Sequence, residues 1–235
     1  MVAEASRAPE GHGVKETGGH AACDAVAASL TGAGVEGPSP ARASALGLED
    51  QAKLIGAYRW TEHQLFELLG AWVRREPSDE ARLLFDLHSQ QHAWHAQLFA
   101  ERLPVLDGVD RDALCVAPSA DVERVMELVG ATEGTLLRLV GAGRLVLPRL
   151  VGSYTLHLQR AAAVADAPLV RALRLVLRDE LEAWQATEVM VQSLLRGTDG
   201  VGAAAGHLRS LEAVLAGMGP GLVSWPTRAL RDIGA

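Results

Sequence analysis

From Leu48 to Leu195 the apolar residues recur every three to four positions almost without interruption, and that period restricts the chain to helices packed side by side. No segment alternates apolar and polar residues as a half-buried strand does. Taking about 100° of turn per residue as the test of a shared face divides the region into four long helices. The first covers 49–76 and carries Leu54, Tyr58, Leu65, Leu69 and Trp72 on one stripe, with Pro77-Ser78 as its break. The second covers 78–103, buries Leu84, Leu87, Leu98 and Phe99, and stops at Pro104. The third carries Leu136, Leu139, Val140, Gly143, Leu147, Leu150, Val151, Tyr154, Leu158 and Ala161 in phase across Pro148. A proline inside a helix costs about 3 kcal/mol and bends rather than ends it where both sides are buried, so the unbroken phase predicts one helix kinked at Pro148. Two separate helices are the alternative. The fourth follows a tight Asp166-Ala167-Pro168 turn and buries Leu169, Leu173, Leu177, Leu181, Trp184, Val191 and Leu195.

The connections between these helices are unequal. The first and last pairs are joined by short turns, whereas 105–131 is a long crossover that opens with Asp107-Gly108, contains Pro118 and holds one shorter helix around 121–129. Two antiparallel hairpins joined by one long connection is the connectivity of ferritin-like four-helix bundles. Residues 1–47 contain no aromatic side chain and are rich in Gly, Ala, Ser and Pro, which reads as a flexible arm. After residue 197 a cluster of glycines marks the start of a tail, 198–235, with one short helix around 207–215. The organisation is therefore an arm, a bundle over 48–197 and a tail.

Charge and composition narrow the function classes. The 22 basic residues are outnumbered by 29 acidic ones, giving a net charge of −7, and only Lys15 and Lys53 are lysines, which argues against nucleic-acid and anionic-membrane partners. No apolar run approaches the roughly 18 residues of a membrane span, and the first ten residues lack the basic-then-apolar order of a secretion signal. Cys23 and Cys115 form neither a disulfide framework nor a cysteine zinc motif. These features lead to the expectation of a cytoplasmic protein.

Polar side chains on the buried stripes are where chemistry or a satisfied network must lie, because an unpaired buried charge is expensive. His88, His92 and His95 stand within an arc of about 60° on the inward face of the second helix. Neutral imidazole is a ligand for iron, zinc and copper, and residues three or four apart on a helix can converge on one ion. On the first helix Glu62 falls inside the apolar arc and Glu67 outside it. Counting fifteen residues back from Pro77 reaches Glu62 and the same count forward reaches His92, so the hairpin brings the acid and the imidazole level. On the fourth helix Glu180 shares the buried face with Leu177 and Trp184, while Asp179 and Glu182 point outward. Glu188 lies two turns further on, either a second inward acid or part of the solvated end. Tyr154 and His157 sit one turn apart on the third helix, Tyr154 near the stripe centre and at the level of Glu180. The same residues also fit a buried, hydrogen-bonded Glu–His network without metal.

With inward acids and histidines at mid-bundle added to the connectivity, the chain resembles the ferritin-like superfamily over 48–197. Members that hold two irons have a Glu on each of two helices and an E-x-x-H motif on each of the other two. Glu62 matches the first single Glu. The second helix instead has His92-Ala93-Trp94-His95, Glu180 is followed by Ala183 where a histidine would stand, and the third helix offers Tyr154 or His157 in place of an acid. Two carboxylates rather than four suit one divalent ion better than two. The resemblance implies an iron-binding protein, an oxidoreductase acting with dioxygen on a small organic substrate, with Glu62, His92, His95 and Glu180 as ligands. His88 and His157 would complete the coordination or brace it, and Tyr154 would serve as a proton donor. The alternative is a bundle that binds a small apolar ligand or a protein without metal, for which Trp60 and Trp94, off the stripe centres, would mark the contact of a homodimer.

Overall fold

The computed structural model describes residues 46–226, so the arm read over 1–47 lies, apart from its last two residues, outside the described residues. The described residues are helical and contain no strand. Helix α1 (Leu48–Val73) and helix α2 (Asp79–Arg102) form the first hairpin, and Ser78 caps α2 by accepting a hydrogen bond from the Ala81 amide at 3.3 Å. A 3-10 turn (Asp112–Leu114) and helix α3 (Ala120–Gly130) occupy the crossover, with Ser119 as the α3 cap at 3.2 Å from the Val122 amide. Helix α4 (Thr135–Val140) passes through a π-helical turn (Gly141–Val146) into helix α5 (Leu147–Arg160) without a break. Helix α6 (Ala167–Leu194) returns along α5 and packs on α2, and helix α7 (Gly197–Val214) closes over α3, α4 and the π turn. No helix among the described residues is long and apolar enough to cross a membrane.

The helix therefore continues through Pro148, and the π turn explains how. In a regular α-helix the proline ring runs into the carbonyl four residues back, here that of Arg144, and its missing N–H leaves that carbonyl without a partner. Widening the preceding turn to five-residue hydrogen bonds, as from the Leu147 amide to the Ala142 carbonyl, moves the backbone away from that collision. The widened turn also sits against α6. A Cβ on Gly143 would lie 2.4 Å from Thr187 Cγ2, so only glycine permits this approach.

One continuous core links all the helices, through Leu54, Tyr58, Trp72, Phe85, Phe99, Val125, Leu139, Leu150, Leu173, Val191 and Leu211. Burying each of the larger side chains contributes about 1.5–3 kcal/mol, which is what allows several charged groups to be carried inside. Two expectations need correction. Leu87 is exposed, because the inward face of α2 is taken by Ala81, Phe85, His88, His92, His95 and Phe99. The tail helix is not short: α7 has 18 residues and starts at Gly197, and Ala204, Leu211, Leu215, Leu222 and Val223 join the common core. Its glycines weaken it intrinsically by about 1 kcal/mol each, and the packing of that apolar face overrides the penalty.

Candidate metal centre

Halfway along the bundle four side chains from three helices converge. Glu62 comes from α1, His92 and His95 from successive turns of α2, and Glu180 from α6, and all four are buried. The short turn between Val73 and Asp79 keeps α1 and α2 in register, so Glu62 and His92 meet as the hairpin count predicts: the His92 Nδ1–H donates to Glu62 Oε2 at 2.6 Å. His92 Nδ1 is 3.2 Å from Glu180 Oε1, and His95 Nδ1 lies 3.0 Å from Glu180 Oε1 and 3.4 Å from Glu62 Oε2. One donor atom from each residue lies within 4.8 Å of all the others.

The environment fixes the charges. Burial alone would lower both histidines, but the carboxylates of Glu180 and Glu62 outweigh it and raise His92 to about 9 and His95 to about 11. His95 has a carboxylate at each ring nitrogen, since its Nε2 is 3.2 Å from Asp179 Oδ2, and only an imidazolium donates from both. Burial would raise Glu180, yet the two imidazoliums hold its carboxyl below the usual range. Among the four buried residues two carboxylates face two imidazoliums and their charges cancel, while the partly exposed Asp179 adds a third carboxylate at the rim.

One atom is left out of this arrangement. Glu180 Oε2 is buried and has no hydrogen-bond partner, a costly condition for a carboxylate oxygen. The cluster could hold a metal ion. Ligands on opposite sides of an ion bound at about 2.0–2.2 Å are about 4.0–4.4 Å apart, so a set already within 4.8 Å closes on an ion with small side-chain shifts. A divalent ion that displaces the two imidazolium protons leaves the net charge unchanged, and a buried site pays no new electrostatic cost for that exchange. The donor set, two nitrogens and two oxygens, is of the type that iron, zinc and manganese accept.

Around the four, Tyr154 donates its hydroxyl proton to Glu62 Oε1, and burial together with the Glu62 charge holds its phenol well above the usual range. The proton stays on the tyrosine. Its ring packs edge-on to Tyr58 at 4.9 Å between centroids. Two expected ligands fall outside the group. His157 Nδ1 lies 3.1 Å from the Tyr58 hydroxyl and its ring meets Trp225, and burial lowers it to about 4. His88, one turn before His92 on α2, is kept neutral by burial and by the neighbouring charge of His92, again at about 4. Glu188 is not an inward acid, because Arg144 of the π turn grips both its oxygens at 2.8 and 2.9 Å.

Asp179 joins the site although helical periodicity points it outward. The side chain is partly exposed at 27%, yet its carboxylate turns back to the far nitrogen of His95. A carboxylate on the second nitrogen of a coordinating histidine is the usual way that a ring is oriented and its basicity raised. The available signal was adjacency to Glu180, with an imidazole opposite whose two nitrogens face different ways. Comparison of the chain with family models, with characterised proteins and with solved structures returned no match.

Proposed function

We propose that this chain is a cytoplasmic metalloprotein with a ferritin-like bundle, that Glu62, His92, His95 and Glu180 hold a single divalent ion, iron in the first place, and that it oxidises a small organic molecule with dioxygen. The observation that carries the reading is the unpartnered Glu180 Oε2 within a neutral, fully buried set of two acids and two imidazoles. Such an ion, when bound, supplies electrons and a place for dioxygen. The remaining parts belong to the chain. Asp179 orients the His95 ring, Tyr154 fixes Glu62 through its Oε1 so that Oε2 faces the imidazoles, and the Tyr154 hydroxyl keeps a proton beside the centre. Two carboxylates are too few to bridge and neutralise a pair of irons, which supports one ion rather than two.

The test is metal content. Protein purified from iron-supplemented cells should carry about one ion per chain by elemental analysis, and His92→Ala should reduce this by at least tenfold. Equal, sub-stoichiometric metal in both samples would reject the reading. A second reading has its own support: apart from Glu180 Oε2, the imidazoles and carboxylates already pair with one another without an ion, with contacts from 2.6 to 3.4 Å. On that reading the bundle binds a partner or apolar ligand and its stability is indifferent to chelator.

A further inference from the structure

The seam between α2 and α6 opens into a cavity of about 360 Å³ lined by Leu98 and Arg102 from α2 and by Pro168, Arg171, Ala172 and Leu175 from α6. That volume lies within the range of small-molecule sites, about 300–1,000 Å³. Its lining is apolar but for two guanidiniums. Arg102 Nε is buried with no hydrogen-bond partner, and the guanidinium has only a 3.7 Å contact, to its neighbour Glu101. The end of α2 does not occupy it, because Arg111 already donates to the Ala100 and Leu103 carbonyls at 2.6 and 3.0 Å. Arg171 has no ion pair among the described residues.

The same pair of helices carries one edge of the Glu–His cluster. Leu98 is three residues from His95 on α2 and Leu175 is four from Asp179 on α6, one helical turn in each case, and the His95–Asp179 contact bridges the same two helices. Asp179 is also the partly exposed member of an otherwise buried polar group. Arg102 and Arg171 lie at the far end. The rise of about 1.5 Å per residue separates them from His95 and Asp179 by about 10–12 Å.

We propose that this groove binds a small amphipathic anion, its single carboxylate held by Arg102 and Arg171, its apolar body along Leu98, Ala172 and Leu175, and its far end delivered to the His95–Asp179 edge of the cluster. This rests on the reading of the cluster as the reactive centre and names the substrate class it would serve. In a chain of net charge −7, a pair of arginines over an apolar floor is a local exception, and a carboxylate head supplies the acceptor that the Arg102 guanidinium lacks. The span from arginines to cluster matches an extended chain of about eight to ten carbons, at bond lengths near 1.5 Å.

Calorimetric titration of metal-free protein with decanoate tests this. The expected result is one decanoate per chain, binding at least tenfold tighter than decan-1-ol, with Arg102→Met and Arg171→Met each weakening it about tenfold and Arg209→Met, on α7, leaving it unchanged. Should Arg102→Met fail to fold by circular dichroism, Arg171→Met, whose side chain lies at the surface, carries the test alone. Decanol binding as tightly as decanoate, no decanoate binding, or arginine variants that bind like wild type would each overturn the proposal. The metal reading fails separately: His92→Ala should lose metal while still binding decanoate, and a groove that binds nothing would leave the metal content of the wild type intact.

Discussion

Two sets of charges are buried in this core, and they are completed differently. Near the first hairpin turn Glu76 and Arg138 form a pair in which every charged atom that faces inward is used. Glu76 Oε1 accepts from the Thr135 hydroxyl and the Ser78 amide, Oε2 accepts from Arg138 Nη1 at 3.0 Å, and Arg138 Nε donates to the Thr132 carbonyl at 3.1 Å with the guanidinium over the Trp72 ring. The mid-bundle cluster, by contrast, brings donor atoms of two acids and two bases within 4.8 Å of one another and leaves Glu180 Oε2 without a partner. The first pattern ties the start of α4 to the end of α1, as a structural ion pair does. The second has what a structural pair lacks: an unused acceptor and two protons that an ion can replace.

The largest expected effect breaks the comparison on its structural side. Arg138→Met leaves Glu76 buried without its cation and should destabilise the chain by about 3–5 kcal/mol in chemical denaturation. It should not alter the amount of metal bound per folded chain. A metal loss as large as that of His92→Ala would mean that the two clusters are not independent.

Next in size is the response to pH and metal, which the two clusters should not share. His92 and His95 are raised in the folded state, so their contribution to stability is fully present below their ordinary value of 6.5 and disappears as pH rises through about 9 and about 11. Glu180 is lowered, so its contribution is full above 4.5 and is lost as pH falls below that. Metal-free protein should therefore draw most stability from this site between about pH 4.5 and 6.5. Metal reverses the trend above that window. Because binding expels imidazole protons, affinity should rise by up to tenfold per proton for each pH unit below about 9, and at a thousandfold excess over Kd the ion adds about 4 kcal/mol. Denaturation midpoints with and without a divalent ion across pH 5–9 would show the gap widening as pH rises. A constant gap would contradict proton displacement, and Arg138→Met should show the same widening as wild type.

The unequal legibility of the two clusters in the sequence has a physical cause. Glu62 and His92 could be matched because a tight turn fixes the register of a hairpin, and Glu180 because it shares a face with Leu177. Glu76 and Arg138 are separated by the whole crossover and meet at helix ends, where neither register nor period constrains them. The helical period also reports where a Cβ points and not how far a side chain reaches, which is why it leaves Asp179 outside. The pattern puts Leu87 inside because α2 carries apolar residues on two faces, and only packing selects the one that holds Phe85 and the histidines. The π turn before Pro148 is a backbone adjustment with no side-chain pattern of its own, and its gain, a close seat for Gly143 on α6, shows only in three dimensions.

The smallest effect sharpens the site itself. Asp179→Asn keeps the size of the side chain and its reach to His95 but removes the charge that faces Nε2. If His95 is a ligand through Nδ1, the loss of that carboxylate reduces the basicity and the fixed orientation of the ring, and metal affinity should fall about tenfold, at the low end of such effects. Folding should be little changed, because the Asp179 side chain is partly solvated and its ion pair is screened. If His95 instead serves only the ion-free network, the variant should leave metal binding unaltered and merely let the imidazolium lose its proton at lower pH. Metal titration alongside an NMR titration of the His95 ring distinguishes these outcomes, since the first moves the metal affinity and the second moves only the histidine.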